Sequence, residues 1–199
     1  MVRCIQRNYL WGYLLGVIWL GFCQVTWAQE PQDPQEPTAV QVTPTPVTQL
    51  PDGTKLIIPV KGVQPSALTD TFTALRSGGR THNAIDIMAP RETAVLAAAD
   101  GEILRLITNA LGGTTLYLLS NDRKVVFYYA HLDYYAEGLF IGQKVKQGEV
   151  IAFVGDTGNA GIGNFHLHFA VWLVEDPKRF SNGTNLNPYP LLRGARPKL

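Results

Sequence analysis

The chain has 199 residues, 46% hydrophobic and 17% charged, a length that suits one domain with appendages. Seventeen Lys and Arg against sixteen Asp and Glu leave a formal net charge of +1, so the chain lacks the basic excess expected of a nucleic-acid binder. Its scarce residue types are more informative: two cysteines, Cys4 and Cys23, and four histidines.

Residues 1–28 read as a secretory signal peptide. Arg3 and Arg7 give a positive start, an apolar run extends from Tyr9 to about Phe22, and Ala28 fits the last position before a cut. The run is short for a membrane span. An uncleaved signal is the competing outcome and would tether the domain to the membrane. Phe22 before Cys23 argues against lipidation. Cleavage removes both cysteines and leaves a mature chain without thiol or disulfide, which suits an oxidising envelope compartment. It also removes two of the seventeen basic residues and no acid, so fifteen face sixteen and the net charge becomes −1. The expected location is therefore outside the cytoplasm, in the periplasm or cell envelope.

Residues 29–50, rich in Pro, Gln and Thr, show no periodicity and read as a disordered linker. From 51 to 199 short apolar runs alternate with Gly, Pro and Asn at roughly ten-residue intervals, the signature of an antiparallel all-β domain. Strands are expected at Lys55–Val60, Ala94–Ala98, Glu102–Leu106, Thr114–Leu119, Val125–Tyr129, Val150–Val154 and His166–Val171, with a short helical turn at Ala67–Leu75. The expected architecture is a sandwich or an open groove of curved sheets.

The four histidines all stand in segments with other marks of a site. In Thr81–Pro90, His82 and Asp86 are four apart; an extended chain would turn both to one face, with Ile85 and Ile87 on the other. A carboxylate between two isoleucines needs a partner, and a divalent cation is one. His166 and His168, two apart in a strand-like run, share a face. His131 follows Val125–Tyr129 at an expected strand end, a position that often presents active-site groups. The tyrosines around it read as wall and packing residues. A catalytic zinc takes three His or Asp/Glu ligands and keeps a fourth position open. The inventory supplies that with two histidines over, while spacing leaves open which three are ligands. No Gly-x-Ser-x-Gly elbow is present.

His82-x-x-x-Asp86, Tyr129-Ala130-His131-Leu132 and His166-x-His168, in this order, together with IDIMAPRETAVLAAADGEI and GQKVKQGEVIAFVGDTGNAG, resemble the lysostaphin/LytM-type (M23) zinc metallopeptidases. The resemblance runs from about Ile58 to Leu192. It implies a mostly antiparallel β domain with a narrow groove and an endopeptidase acting on peptidoglycan. It further implies Zn2+ bound by His82, Asp86 and His168, with His131 and His166 as the catalytic pair. Ala84 and Ala170 stand where the family often has glycine, or glutamate at the second; neither is a proposed ligand. Some relatives have lost catalysis and instead activate another wall hydrolase, typically lacking some of these residues, whereas all five are present here. KVKQGEVIAFVG also resembles the hairpins of lipoyl-like carrier folds, a reading in which the histidines have no use.

Overall fold

A computed structural model describes residues 49–194. The expected signal segment and nearly all of the expected linker lie outside these residues. Leu50 is already buried in the core.

Among the described residues the chain forms nine strands and little helix. The strands are β1 (Ile85–Met88), β2 (Ala94–Leu96), β3 (Gly101–Asn109), β4 (Gly113–Ser120), β5 (Val125–Tyr135), β6 (Lys144–Val145), β7 (Val150–Val154), β8 (His166–Leu173) and β9 (Thr184–Leu186), followed by a helix α1 (Pro188–Arg193). Every pairing is antiparallel, and the main path runs β1-β8-β5-β4-β3-β6. From it β7 branches off β5 and carries β2, while β9 adds to the far end of β8.

The alternation of side chains builds the core. On β8, Leu167, Phe169 and Val171 face inward with Phe127 and Tyr129 of β5 and Ile85 and Ile87 of β1, all buried in one cluster. The same alternation turns Asp86, His168 and Tyr128 to the opposite face. Fully burying one such aliphatic or aromatic side chain is worth about 1.5–3 kcal/mol. The core therefore supplies the rigid floor beneath the polar face.

Strand β7 coincides with its expected span, and β3, β4, β5 and β8 each outrun theirs by a few residues. Lys55–Val60 forms no named strand; Val60 makes only a single bridge to Val95, and Pro59 has no N–H for a longer ladder. The helical turn expected at Ala67–Leu75 does not form; a 3-10 turn at Pro65–Ala67 ends where it was to begin. Strand β5 does not end before His131 but continues through it to Tyr135. Pairing slips there: Tyr129 faces Leu116 and Leu132 faces Thr114, so two residues of β5 oppose one of β4. This bulge divides β5 between two partners, β8 before the kink and β7 after it, and so curls the sheet.

Candidate metal centre and its cleft

All five residues singled out from the sequence line one cleft on the polar face of the sheet. Two of the segments meet through strand register. Asp86 of β1 is paired with His168 of β8, which brings together residues 82 apart in sequence. His166 stands two positions along the same face.

His82 reaches the site differently from the sequence expectation. A fully extended chain would carry residues 82 and 86 about 13 Å apart, too far to share one ion. Instead β1 begins only at Ile85, and Asn83 adopts a left-handed conformation with φ 56°. That turn folds His82 back, so that its Nε2 lies 3.0 Å from Asp86 Oδ1.

His82 Nε2, Asp86 Oδ1 and His168 Nδ1 form a tight triangle, with His168 Nδ1 2.9 Å from His82 Nε2 and 3.1 Å from Asp86 Oδ1. Ligands about 2.0–2.1 Å from a tetrahedral metal lie roughly 3.3 Å from one another, close to these separations. The donor chemistry fits as well. His82 Nδ1 is 2.9 Å from the Thr71 carbonyl, which can only accept, so the proton sits on Nδ1 and Nε2 offers its lone pair inward. Three electron-rich atoms aimed at one point require a proton or a cation among them. Among the described residues this is the group of side chains able to hold a metal ion.

The other two histidines are oriented by the same device. His131 Nδ1 donates to the Thr157 carbonyl at 2.8 Å, and His166 Nδ1 donates to the Asn164 carbonyl at 2.7 Å. Both rings therefore leave Nε2 for the cleft, and that of His166 lies 3.7 Å from Asp86 Oδ1. The His131 and His166 ring centroids are 4.9 Å apart. His131 has a positive φ of 60°, a strained conformation for this residue type, and its backbone N–H is held by the Gly112 carbonyl at 2.8 Å.

Burial sets the protonation of the cluster. Desolvation pulls His131 down to about 4, so it is neutral at neutral pH. Burial likewise lowers His168. Burial raises the Asp86 carboxyl, but hydrogen bonds with His168 and His82 outweigh it and hold Asp86 far below the ordinary carboxylate range. Asp86 is thus an anion, and burial favours the neutral, ligating form of His168.

Four supporting residues escaped sequence reasoning. Thr71 accepts a hydrogen bond from His82 Nδ1–H on its carbonyl and one from the Asp86 backbone N–H on its Oγ1 at 3.2 Å. Thr157 and Asn164 act through backbone carbonyls, which carry no sequence signature. Arg76 donates through Nη2 to Asp86 Oδ2, the oxygen turned away from the triangle. The glycine-rich loop Gly155–Gly163 supplies the Thr157 carbonyl.

A curled antiparallel sheet with an open three-donor cluster and two further histidines defines a class, a β-type peptidase domain with a candidate metal centre. The model described as Peptidase family M23 matches residues 80–188, more than half of the chain, and the chain belongs to that family. It is 33% identical over 118 residues to glycyl-glycine endopeptidase ALE-1 of Staphylococcus capitis, covering 59% of this chain and 30% of that protein. It is 31% identical over 121 residues to an L-Ala--D-Glu endopeptidase of Bacillus subtilis, covering 58% and 36%. The chain thus spans about a third of the length of these curated relatives. Among solved structures, the catalytic domain of the antimicrobial peptidase lysostaphin from Staphylococcus simulans matches at 28% identity with a TM-score of 0.50, covering 61% of this chain and 84% of that one.

Proposed function

We propose that this chain is an exported zinc metalloendopeptidase that hydrolyses peptide bonds in the stem or cross-link peptides of peptidoglycan. The observation that carries this reading is the convergence of His82, Asp86 and His168 on one point, with His131 and His166 in the same open cleft. Family membership and endopeptidase relatives support it.

His82 Nε2, Asp86 Oδ1 and His168 Nδ1 would hold the metal. Zinc in such a set lowers the pKa of bound water towards about 7 and polarises a carbonyl. The chain's own contribution lies in the second pair. His131 and His166 each turn Nε2 into the cleft, fixed in direction by a backbone carbonyl behind the ring. One of them accepts a proton from the attacking water and returns it to the leaving amine, for which an imidazole is suited. The other, carrying a proton on Nε2 as well as on Nδ1, donates a hydrogen bond to the oxyanion, an effect worth about 2.7–4 kcal/mol where such a donor is lost.

On this reading residues 1–28 export the chain, residues 29–49 form the linker ahead of the domain, and peptidoglycan is the partner rather than nucleic acid. A purely regulatory role would not require the complete set of five residues. The test is incubation of the purified zinc-loaded protein with purified peptidoglycan, with and without chelator, and mass spectrometry of the products. Chelator-sensitive loss of cross-linked fragments is expected. Intact peptidoglycan in the presence of fully zinc-loaded protein overturns the catalytic assignment.

A further inference from the structure

Of the three metal donors, His82 is the one that no strand carries, since β1 begins only at Ile85. Its position is set instead by residues 71–74. The His82 N–H donates to the Ala74 carbonyl and the Asn83 N–H to the Phe72 carbonyl, both at 2.9 Å. Thr71 receives His82 Nδ1–H on its carbonyl at 2.9 Å and the Asp86 N–H on its Oγ1 at 3.2 Å. Between these contacts the chain turns through a small hairpin, in which Leu75 bridges Thr81 and Arg76 reaches Asp86. Two of the three donors thus take their placement from Thr71.

Apolar packing does not explain what holds Thr71 in place. Leu68 is buried, but Thr69, Asp70, Thr73 and Ala74 are exposed, and Thr71 and Phe72 are only half-buried. The anchor is Asp70. Its Oδ1 accepts the Phe72 N–H at 3.1 Å, and its two oxygens accept from Asn187 Nδ2 at 3.3 and 3.1 Å, across 117 positions of sequence. Asn187 is itself fixed. Its Oδ1 accepts the Tyr189 N–H at 2.9 Å and caps α1, whose Pro188, Leu191 and Leu192 are buried. Both ends of the Asn187 amide are therefore committed, the acceptor to its own helix and the donor to the loop behind the metal cluster.

Building on the metal-binding part of the peptidase reading, we propose that Asn187 and Asp70 are positioning residues for the metal site, bracing the loop whose Thr71 aims His82 and seats Asp86. The brace touches neither the ion nor the substrate. Without it all three donors remain, but the carbonyl that directs His82 Nε2 inward loses its anchor, and metal affinity falls while the core stays packed. The contact is exposed, so its worth is that of an ordinary hydrogen bond, about 3–10-fold in an equilibrium constant. A partner that touches a ligand directly is worth more, about 10–100-fold.

The experiment measures the Zn2+ dissociation constant of the full chain by competition with a chromophoric chelator, beside the melting temperature of the zinc-free protein. Asn187→Ser keeps a good helix cap but lacks the amide that reaches Asp70, so it isolates the brace from the cap. Asn187→Asp keeps the cap and sets two carboxyl groups against each other. Exchanging the pair, Asp70→Asn with Asn187→Asp, rebuilds donor and acceptor in reverse order. Asn187→Ser is expected to weaken zinc binding about 3–10-fold with the zinc-free melting temperature unchanged. Asn187→Asp should lose at least as much, and the exchanged pair should regain most of it. Unchanged zinc affinity in both single variants overturns the proposal. So does a loss matched by a lower zinc-free melting temperature and not repaired by the exchange, which would make the bridge a general support of the fold. If wild type itself binds no zinc, the metal reading fails and takes the brace with it; wild-type binding with unaffected variants removes the brace alone.

Discussion

At the scale of single residues the proposed function divides the cluster into ligands and proton carriers, and the two groups would separate experimentally. His82→Ala, Asp86→Ala and His168→Ala should each lose both zinc and activity, because each removes one corner of the triangle. His131→Ala and His166→Ala should keep zinc and lose about 10²–10⁴-fold in turnover, the range for a positioned acid–base group. Metal analysis beside peptide hydrolysis checks both, and stoichiometric zinc in the Asp86 variant would sink the ligand assignment. These five residues were legible because each needs its own side-chain chemistry, and histidine is scarce in this sequence. The residues that orient them were not. Thr71, Thr157 and Asn164 act through carbonyls that any residue possesses, and Arg76 gains its meaning only when the hairpin folds it onto Asp86.

At the scale of elements the decisive contact joins the β3–β4 hairpin to the loop between β7 and β8. Thr157 donates its Oγ1 proton to the Leu132 carbonyl at 2.7 Å and accepts the Thr114 N–H at 3.0 Å. Gly113 and Gly158, both with positive φ, pack so closely that a Cβ on either would collide with the other segment. His131 sits between these pieces and borrows its orientation from both. Thr157→Val keeps the shape but removes both hydroxyl contacts, so it should lower turnover about tenfold or more with zinc retained. Thr157→Ser should restore most of it, and a zinc-retaining Thr157→Val with wild-type kcat would show that the contact is idle. Alternating apolar runs announced most of the strands, since burial on one face imposes that period. They could not announce the bulge at His131 or the turn at Asn83. Both arise from tertiary hydrogen bonds, to Gly112 in one case and between His82 and the Thr71 region in the other, and they override local alternation.

At the scale of the whole molecule the candidate metal cluster draws its three donors from β8, from β1 and from the segment before β1. Metal that binds the folded form alone stabilises it by about 4 kcal/mol at a free concentration 1,000 times its Kd. Thermal melts should therefore shift upward with zinc and fall back with chelator in wild type, and respond little in Asp86→Ala. A zinc-independent melting temperature in wild type would mean that the triangle does not bind the ion in the folded state. Because three imidazoles take their direction from the main chain, the centre tolerates much side-chain change at the supporting positions, provided that the path of the backbone is kept. It has little tolerance for altered spacing. Deleting or inserting one residue between Thr157 and His166 moves a carbonyl out of register with its ring while every catalytic letter stays in place. A library built by substitution in that loop should be rich in working variants, and one built from length changes should be nearly barren.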